Sequence, residues 1–354
     1  MKLASDVAKD MQGKRVFVGL SGGVDSGVTA ALLKDAGAIV TGVFIKGWYP
    51  PDMPCSWAED RRDAMRVAAH LRIPFLTLDA SKEYKEAVID YLIREYRAGR
   101  TPNPDIMCNR EVKFGAFHAF AMREDADYIA TGHYAQVRRE EGATTLVRGI
   151  DEGKDQSYFL WAVPQAALSH TLFPLGGMHK ADVRKLARTF NMPNALKRDS
   201  QGICFLGSIS VDDFLRAEMK PTSGKALGET GKEVGTHDGA VLYTLGERIA
   251  LRDSTPGPWY VVRKDMEANT VTVSGVRDTP DERAKLPLID TNWFRGIAPS
   301  GRVLAQYRYH GPRVAGTFAP PSFTPETPLP EPVAAGQSLV LFDGDTCLGG
   351  GIIE

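Results

Sequence analysis

Residues 15–37, RVFVGLSGGVDSGVTAALLKDAG, set a hydrophobic run from Arg15 to Leu20 against a second run in which Val28, Ala31, Leu32 and Ala36 recur at helical spacing. The first part reads as a short buried strand and the second as an amphipathic helix, so the glycines between them sit where strand hands over to helix. The alternation continues: Ala38 to Ile45 reads as a second strand, 56–71 as a helix and 74–80 as a third strand. A strong helical pattern over 81–99 places Tyr84, Val88, Tyr91, Leu92 and Tyr96 on one face and stops at Gly99. Pro102 and Pro104 then predict an extended polar loop, with a new helix starting at Val112. Residues 126–137 read as one more strand and 179–195 as one more amphipathic helix. Strands alternating with helices imply an α/β fold with a doubly wound parallel sheet, in which ligands bind at the carboxyl ends of the strands.

Beyond about residue 209 the alternation stops. A short helix over 211–219 precedes strands and hairpins within 225–275, a small, mostly β module. From Asp278 onward, 286–296, 302–318 and 337–354 alternate apolar and polar residues between turns, which predicts an antiparallel β-barrel or sandwich. The segment 319–332 holds six prolines and is expected to be a loop or edge excursion of that barrel. The expected domains are therefore 1–208, 209–277 and 278–354.

The handover at 19–26 (GLSGGVDS) is an anion site by construction. Gly22 and Gly23 let the backbone approach a ligand closely, and the unpaired N–H groups of the following helix face the turn. Ser21 and Ser26 add hydroxyls, and Asp25 either caps the helix or holds magnesium against phosphate oxygens. No Gly-Lys-Ser/Thr follows, so the turn is not a Walker A loop and carries no lysine for a terminal phosphate. Trp48, Tyr49 and Trp57 lie where they could cover an adenine ring, and Gly132 and His133 end a strand on the same rim.

The whole chain adds constraints. No apolar run is long enough for a membrane span and the N-terminus lacks a signal-peptide core, so a cytoplasmic protein is expected. A net charge of −1 leaves no global basic footprint, although arginines and lysines gather at 94–113 and 295–313. The four cysteines, Cys55, Cys108, Cys204 and Cys347, form no C-x-x-C pair, so neither a disulfide framework nor a zinc site is indicated. Cys108 lies three residues after Asp105 with Arg110 and Lys113 beyond, a setting that favours the thiolate. Cys204 lies in a second glycine-containing loop behind Lys197 and Arg198, and Cys347 in a strand pattern that suggests an inert buried thiol.

The turn resembles the pyrophosphate-binding loop of N-type ATP pyrophosphatases. Taken with TPNPDIMCNREVKF, KDQSYFL, DSQGICF, YTLGER, PWYVV and DGDTCLGGGII in this order over nearly the whole chain, the sequence resembles the bacterial and organellar tRNA-uridine 2-sulfurtransferases. The resemblance implies ATP and magnesium as cofactors, with Gly19, Leu20, Ser21, Gly22, Gly23, Val24, Asp25 and Ser26 binding ATP and Ile45 and Gly132 lining the adenosine pocket. It implies that Asn103, Pro104 and Asp105 meet the target base, that Cys108 is the nucleophile and that Cys204 carries a persulfide. His133, Lys154, Asp155, Gln156, Arg308, Tyr309 and Gln337 match positions that touch tRNA.

The chemistry suits these residue types. Uracil O2 is a poor leaving group, and adenylation converts it into AMP, after which sulfur attacks C2. Cys108 would release the sulfur of a Cys204 persulfide by forming a disulfide, with Asp105 as acid or base, on a base flipped from the anticodon loop. The implied partners are a tRNA with a wobble uridine and a persulfide donor, the chain itself being a monomer. Glu247, His310 and Gly311 depart from the family's usual residues, in RNA-facing or accessory parts. The competing readings are an ATP pyrophosphatase ligase or amidotransferase acting on a small molecule, which leaves the two cysteines without a task, a non-catalytic RNA-binding protein, and an iron–sulfur enzyme using Asp105, Cys108 and Cys204.

Overall fold

The structure, a computed structural model, describes residues 11–50, 57–140, 143–198, 210–254, 256–277 and 285–354. The first region runs β1 (Arg15–Gly19), α1 (Val24–Asp35), β2 (Ile39–Lys46), α2 (Trp57–Leu71), β3 (Phe75–Asp79), α3 (81–97), α4 (104–123) and β4 (Tyr128–Ala130). A hairpin follows, β5 (Ala135–Glu140) and β6 (Ala143–Arg148), then β7 (Thr171–Leu172) and α5 (Lys180–Thr189). Among the described residues the sheet order is β3-β2-β1-β4-β7, and every pairing in it is parallel.

Alternation along β1 splits the core. Val16 and Val18 face α1, α2 and α5, whereas Phe17 faces α3 and α4 together with Val43 and Ile45. α1 is buried nearly all round, from Ser26 through Leu33, rather than amphipathic, because the sheet covers one side and α2 and α5 cover the other.

Two local expectations are corrected. The segment after Pro102 is helical from Pro104, not an extended loop to Val112. Asn103 caps that helix, its Oδ1 accepting from the Asp105 and Ile106 N–H groups at 3.1 and 3.4 Å, and Pro104 occupies the first helical position, where its missing N–H costs nothing. From Cys108 to Ala116 the helix widens to π spacing. The strand expected over 126–137 is two strands belonging to different sheets, broken at Thr131 to Tyr134.

α6 (Val211–Met219) leads to β8 (Gly224–Gly228), β9 (Glu233–His237), β10 (Arg248–Ile249), β11 (Trp259–Asp265) and β12 (Thr270–Ser274), ordered β10-β11-β12-β8-β9 around Ala226, Val261, Val271 and Val273. The last region contains β13 (Leu286–Trp293), β14 (Gly301–Gln306), β15 (Val314–Ala319), β16 (Ser322–Pro325), β17 (Ser338–Asp343) and β18 (Thr346–Ile353). Their antiparallel order β13-β16-β15-β14-β17-β18 closes through β13–β18 pairing into a barrel, which removes exposed edges. Part of the proline-rich stretch is therefore strand: β16 lies within it and pairs with β13 and β15.

The barrel is joined to the first region by backbone. β6 pairs with the start of β18, Thr346 opposite Val147 and Cys347 opposite Leu146. Val340, Phe342 and Cys347 share one apolar cluster with Cys108, Phe114 and Trp161. Cys347 is fully buried, and burial pushes its thiol up to about 12, in line with an inert role. No helix among the described residues is long and apolar enough to cross a membrane.

Candidate functional site

The turn after β1 is braced by its own hydroxyls. The Ser21 N–H donates to Ser26 Oγ at 3.2 Å, the Gly23 N–H donates to Ser21 Oγ at 3.3 Å, and Ser26 Oγ donates to the Gly23 carbonyl at 3.1 Å. Gly22 takes φ +78°, and a Cβ there would lie 2.5 Å from the Asp60 carbonyl oxygen of α2. Gly132 fills a similar need from the other side: a Cβ on it would lie 2.9 Å from the Ser26 nitrogen at the start of α1. Leu20 and Val24 are buried beneath the turn, and Gly19 and Ile45 pack together, with Phe117 of α4 against Gly19. The structure thus brings the glycine turn, Ile45 and Gly132 onto one rim.

Three residues not singled out for this site also reach it. Asn194 Nδ2 donates to the carbonyls of Gly22 and Gly23 at 3.0 and 2.9 Å, holding the turn from behind. Lys180 Nζ lies 2.7 Å from both carboxylate oxygens of Asp25, and the Tyr134 hydroxyl donates to Asp25 Oδ1 at 3.0 Å. Beside Asn194 a cavity of about 690 Å³ is lined in part by Asp63, Arg66, Arg188 and Lys197. Lys197, read from sequence as part of the Cys204 surroundings, pairs with Asp60 and Asp63 at 2.9 and 2.7 Å. The Asp25 carboxylate and the hydroxyls of Ser21 and Ser26 are hard oxygen donors of the kind magnesium takes alongside phosphate.

Asp105 and Cys108 stand one helical turn apart on α4, a spacing that puts them on the same face. Cys108 is fully buried and Asp105 partly so. The Arg110 guanidinium is bonded to Asp290 at 2.6 Å and Glu111 at 2.7 Å, which ties α4 to β13. Cys204, with the ligand set for a cluster that includes it, lies outside the described residues, as does Cys55.

The residues matched to tRNA contacts fall into two groups. His133 is buried, its Nδ1 2.7 Å from Thr131 Oγ1 and its ring 5.8 and 5.9 Å from those of Phe114 and Phe173. Asp155 is buried too: it accepts from Arg148, Ser157 and the Gly149 N–H, and so shapes its own turn. Gln156 accepts from the Tyr134 N–H at 3.0 Å, and Gln337 donates to the Thr101 carbonyl at 2.6 Å, a strut from barrel to the loop before α4. Lys154 and Tyr309 are half-buried, Tyr309 against Phe159 at 4.4 Å, while Arg308 donates to Glu331 and the Pro332 carbonyl. Tyr309, His310, Gly311, Arg313 and Arg148 line a second cavity of about 250 Å³ between the hairpin and the barrel.

Burial, and secondarily the charge of Lys113, hold the His133 imidazole well below its ordinary value of 6.5. The unfolded chain takes up this proton near that value and the folded chain does not. The stability it contributes is therefore present above pH 6.5 and lost as pH falls below it. Urea titrations at about pH 7 and about pH 5 are expected to show a smaller acid loss for His133→Phe than for wild type, and equal losses would refute this.

A parallel sheet with a glycine turn at the mouth of its first helix defines a nucleotide-binding α/β class, here followed by two β modules. The model described as the tRNA methyl transferase HUP domain matches residues 14–208. The tRNA methyl transferase PRC-barrel domain matches 212–275, and the aminomethyltransferase β-barrel domain matches 283–353. The tRNA-specific 2-thiouridylase MnmA of Ralstonia nicotianae is 45% identical over 365 residues, covering 97% of this chain and 96% of that protein. The protein of the same name from Bordetella petrii is 44% identical over 375 residues, covering 100% of both. The chain belongs to the tRNA-specific 2-thiouridylase family. Among solved structures, the tRNA thiolase NcsA of Methanococcus maripaludis, with its iron–sulfur cluster, shares 16% identity at a TM-score of 0.38, covering 61% of this chain and 70% of that one.

Proposed function

We propose that this protein thiolates the wobble uridine of tRNA at C2, using ATP. The observation that carries the reading is one α/β unit that holds an oxyanion-receptive glycine turn at its rim and, on α4 packed against that turn, a carboxylate and a buried thiol one helical turn apart. Residues 19–26 with Ile45 and Gly132 would bind ATP, with magnesium neutralising phosphate charge beside Asp25. Asn103, Pro104 and Asp105 would receive the flipped base, Asn103 chiefly by fixing the start of α4.

Uracil O2 attacks the α-phosphorus, the bond to the β-phosphate oxygen breaks, and pyrophosphate leaves. Cys204, loaded by an external persulfide donor, then presents a terminal sulfur. The Cys108 thiolate attacks the inner sulfur of Cys204, a disulfide forms, and the terminal sulfur leaves as hydrosulfide to displace AMP from C2. An external thiol must reduce the disulfide before the next cycle. Asp105 serves proton transfer to the base. The regions 1–208, 209–277 and 278–354 would divide the work between chemistry and gripping the RNA. Lys154, Tyr309 and Arg308 face the tRNA, while His133, Asp155, Gln156 and Gln337 support the surfaces that do. We place the reaction in the cytoplasm and assign it to a monomer.

The test is anaerobic incubation of the full chain with unmodified tRNA, ATP, magnesium and a cysteine desulfurase with its substrate. Thiouridine, AMP and pyrophosphate are expected from wild type, and no thiouridine from Cys204→Ser. Pyrophosphate release with a small-molecule acceptor and no thiouridine with tRNA would overturn the assignment in favour of a small-molecule ligase.

A further inference from the structure

We propose that Asp290 is a positioning residue for sulfur transfer: through Arg110 it holds the part of α4 that carries Cys108, so that the barrel sets the place of the thiol. The inference rests on the thiolation reading of Cys108 and extends it to a residue 180 positions from Arg110 along the chain.

β13 carries one extra residue where it pairs with β18, since Ile289 lies opposite Ile352 and Asn292 opposite Gly350. At this bulge Asp290 takes φ +46°, the left-handed conformation that aspartate tolerates better than most residues. A bulge bends its strand and re-aims side chains, and here two of them reach the first region. Arg110 Nη1 donates to Asp290 Oδ2 at 2.6 Å, and Asn292 Nδ2 donates to the carbonyls of Trp161 and Val163 at 2.7 and 3.2 Å. Trp161 is fully buried in the apolar cluster that contains Cys108. One bulge thus grips both α4 and a segment that shares its core with the thiol.

Arg110 follows Cys108 by two residues, inside the stretch of α4 with π spacing, a rare geometry that gathers at functional sites. Glu111 holds the guanidinium from within α4, and Asp290 supplies its tie to the barrel. The start of the helix is anchored separately. The Thr101 N–H donates to the Ala335 carbonyl at 2.8 Å, Gln337 donates to the Thr101 carbonyl at 2.6 Å, and Asn103 caps the first turn. Releasing Arg110 therefore leaves the base-receiving end of α4 in place and frees the part that carries the thiol. With side chains 49% and 26% exposed, the Asp290–Arg110 pair adds little to stability. What it fixes is geometry: the Cys108 thiolate must align with the sulfur–sulfur bond that it breaks, and a misplacement of about 1 Å can cost about a hundredfold in rate.

The experiment compares the full chain with Asp290→Gly, Asp290→Asn, Arg110→Met and the Asp290→Gly, Arg110→Met double variant on one unmodified tRNA. Two rates are read: single-turnover pyrophosphate release, and thiouridine formation with a cysteine desulfurase and its substrate. Glycine removes the carboxylate and accepts the left-handed backbone, whereas asparagine keeps that backbone and one acceptor oxygen. Asp290→Gly is expected to lower kcat for thiouridine by about tenfold or more, with KM for tRNA and pyrophosphate release within about twofold of wild type. Arg110→Met should behave alike, and Asp290→Asn should fall between Asp290→Gly and wild type. The double variant should stay within about twofold of the slower single variant, because both changes remove one interaction. Retained pyrophosphate release also shows that each variant is folded. Losses that multiply in the double variant, equal losses of pyrophosphate release and thiouridine, a raised KM for tRNA at unchanged kcat, or thiouridine at the wild-type rate would each overturn the role of Asp290 and leave the thiolation reading standing. A wild-type protein that makes no thiouridine would overturn that reading, and this inference with it.

Discussion

The Cys108→Ser protein is expected to form no measurable 2-thiouridine, a fall of roughly three orders of magnitude or more, as when the nucleophile is removed from other enzymes. A serine hydroxyl at neutral pH is neither a nucleophile toward a persulfide nor able to close a disulfide. Cys108 is fully buried in an apolar cluster with Val112, Phe114 and Phe117, where a hydroxyl costs more to bury than a thiol. Cys108→Ala removes that complication and should show the same loss. Both proteins should still bind ATP and release pyrophosphate on adding tRNA, because adenylation precedes the sulfur step. Thiouridine formation by Cys108→Ala above about a tenth of the wild-type rate would remove Cys108 from the chemistry.

The second large effect is at Gly22. Alanine at φ +78° costs about 1–2 kcal/mol of backbone strain, and its Cβ would meet the Asp60 carbonyl oxygen at 2.5 Å, so the turn or α2 must move. Since the Gly22 and Gly23 carbonyls are already held by Asn194, the displacement falls on the N–H groups that would face phosphate. Binding of ATP and of AMP should both weaken by at least about tenfold in Gly22→Ala, since each 1.4 kcal/mol of misfit is one decade. Gly23→Ala is the control: Gly23 has φ −80°, and a Cβ there meets only the Ser21 hydroxyl, at 3.2 Å, which needs to give by only a few tenths of an ångström. Its affinity should stay within about threefold of wild type; equal losses at the two positions would show that the turn tolerates the Gly22 conformation in alanine.

The two β modules and the buried thiol of Cys347 were legible because each leaves a local mark: alternation of period two, glycine between turns, and an apolar strand around the cysteine. The pattern over 104–111 predicts a loop because proline ordinarily breaks a helix. With Asn103 ahead of it, Pro104 instead starts the helix, and a single capping contact decides between the two. Nothing in the sequence between Tyr128 and Glu140 shows that the segment breaks at Thr131 to Tyr134 and that its halves join different sheets, because that depends on distant pairing partners.

By itself, the sequence determined the strand–turn–helix that can hold phosphate and the order of an α/β unit followed by two β modules. Each of these depends on residues within a few positions of one another, where periodicity and backbone preference act directly. Tertiary structure alone decided that Lys180 meets Asp25, that Asn194 braces the turn, that Arg110 grips Asp290, and that the β5–β6 hairpin extends the barrel at β18. These contacts join residues more than a hundred positions apart, and their partners leave no periodic trace in one chain. They form only when burial of the shared core has already brought the elements together.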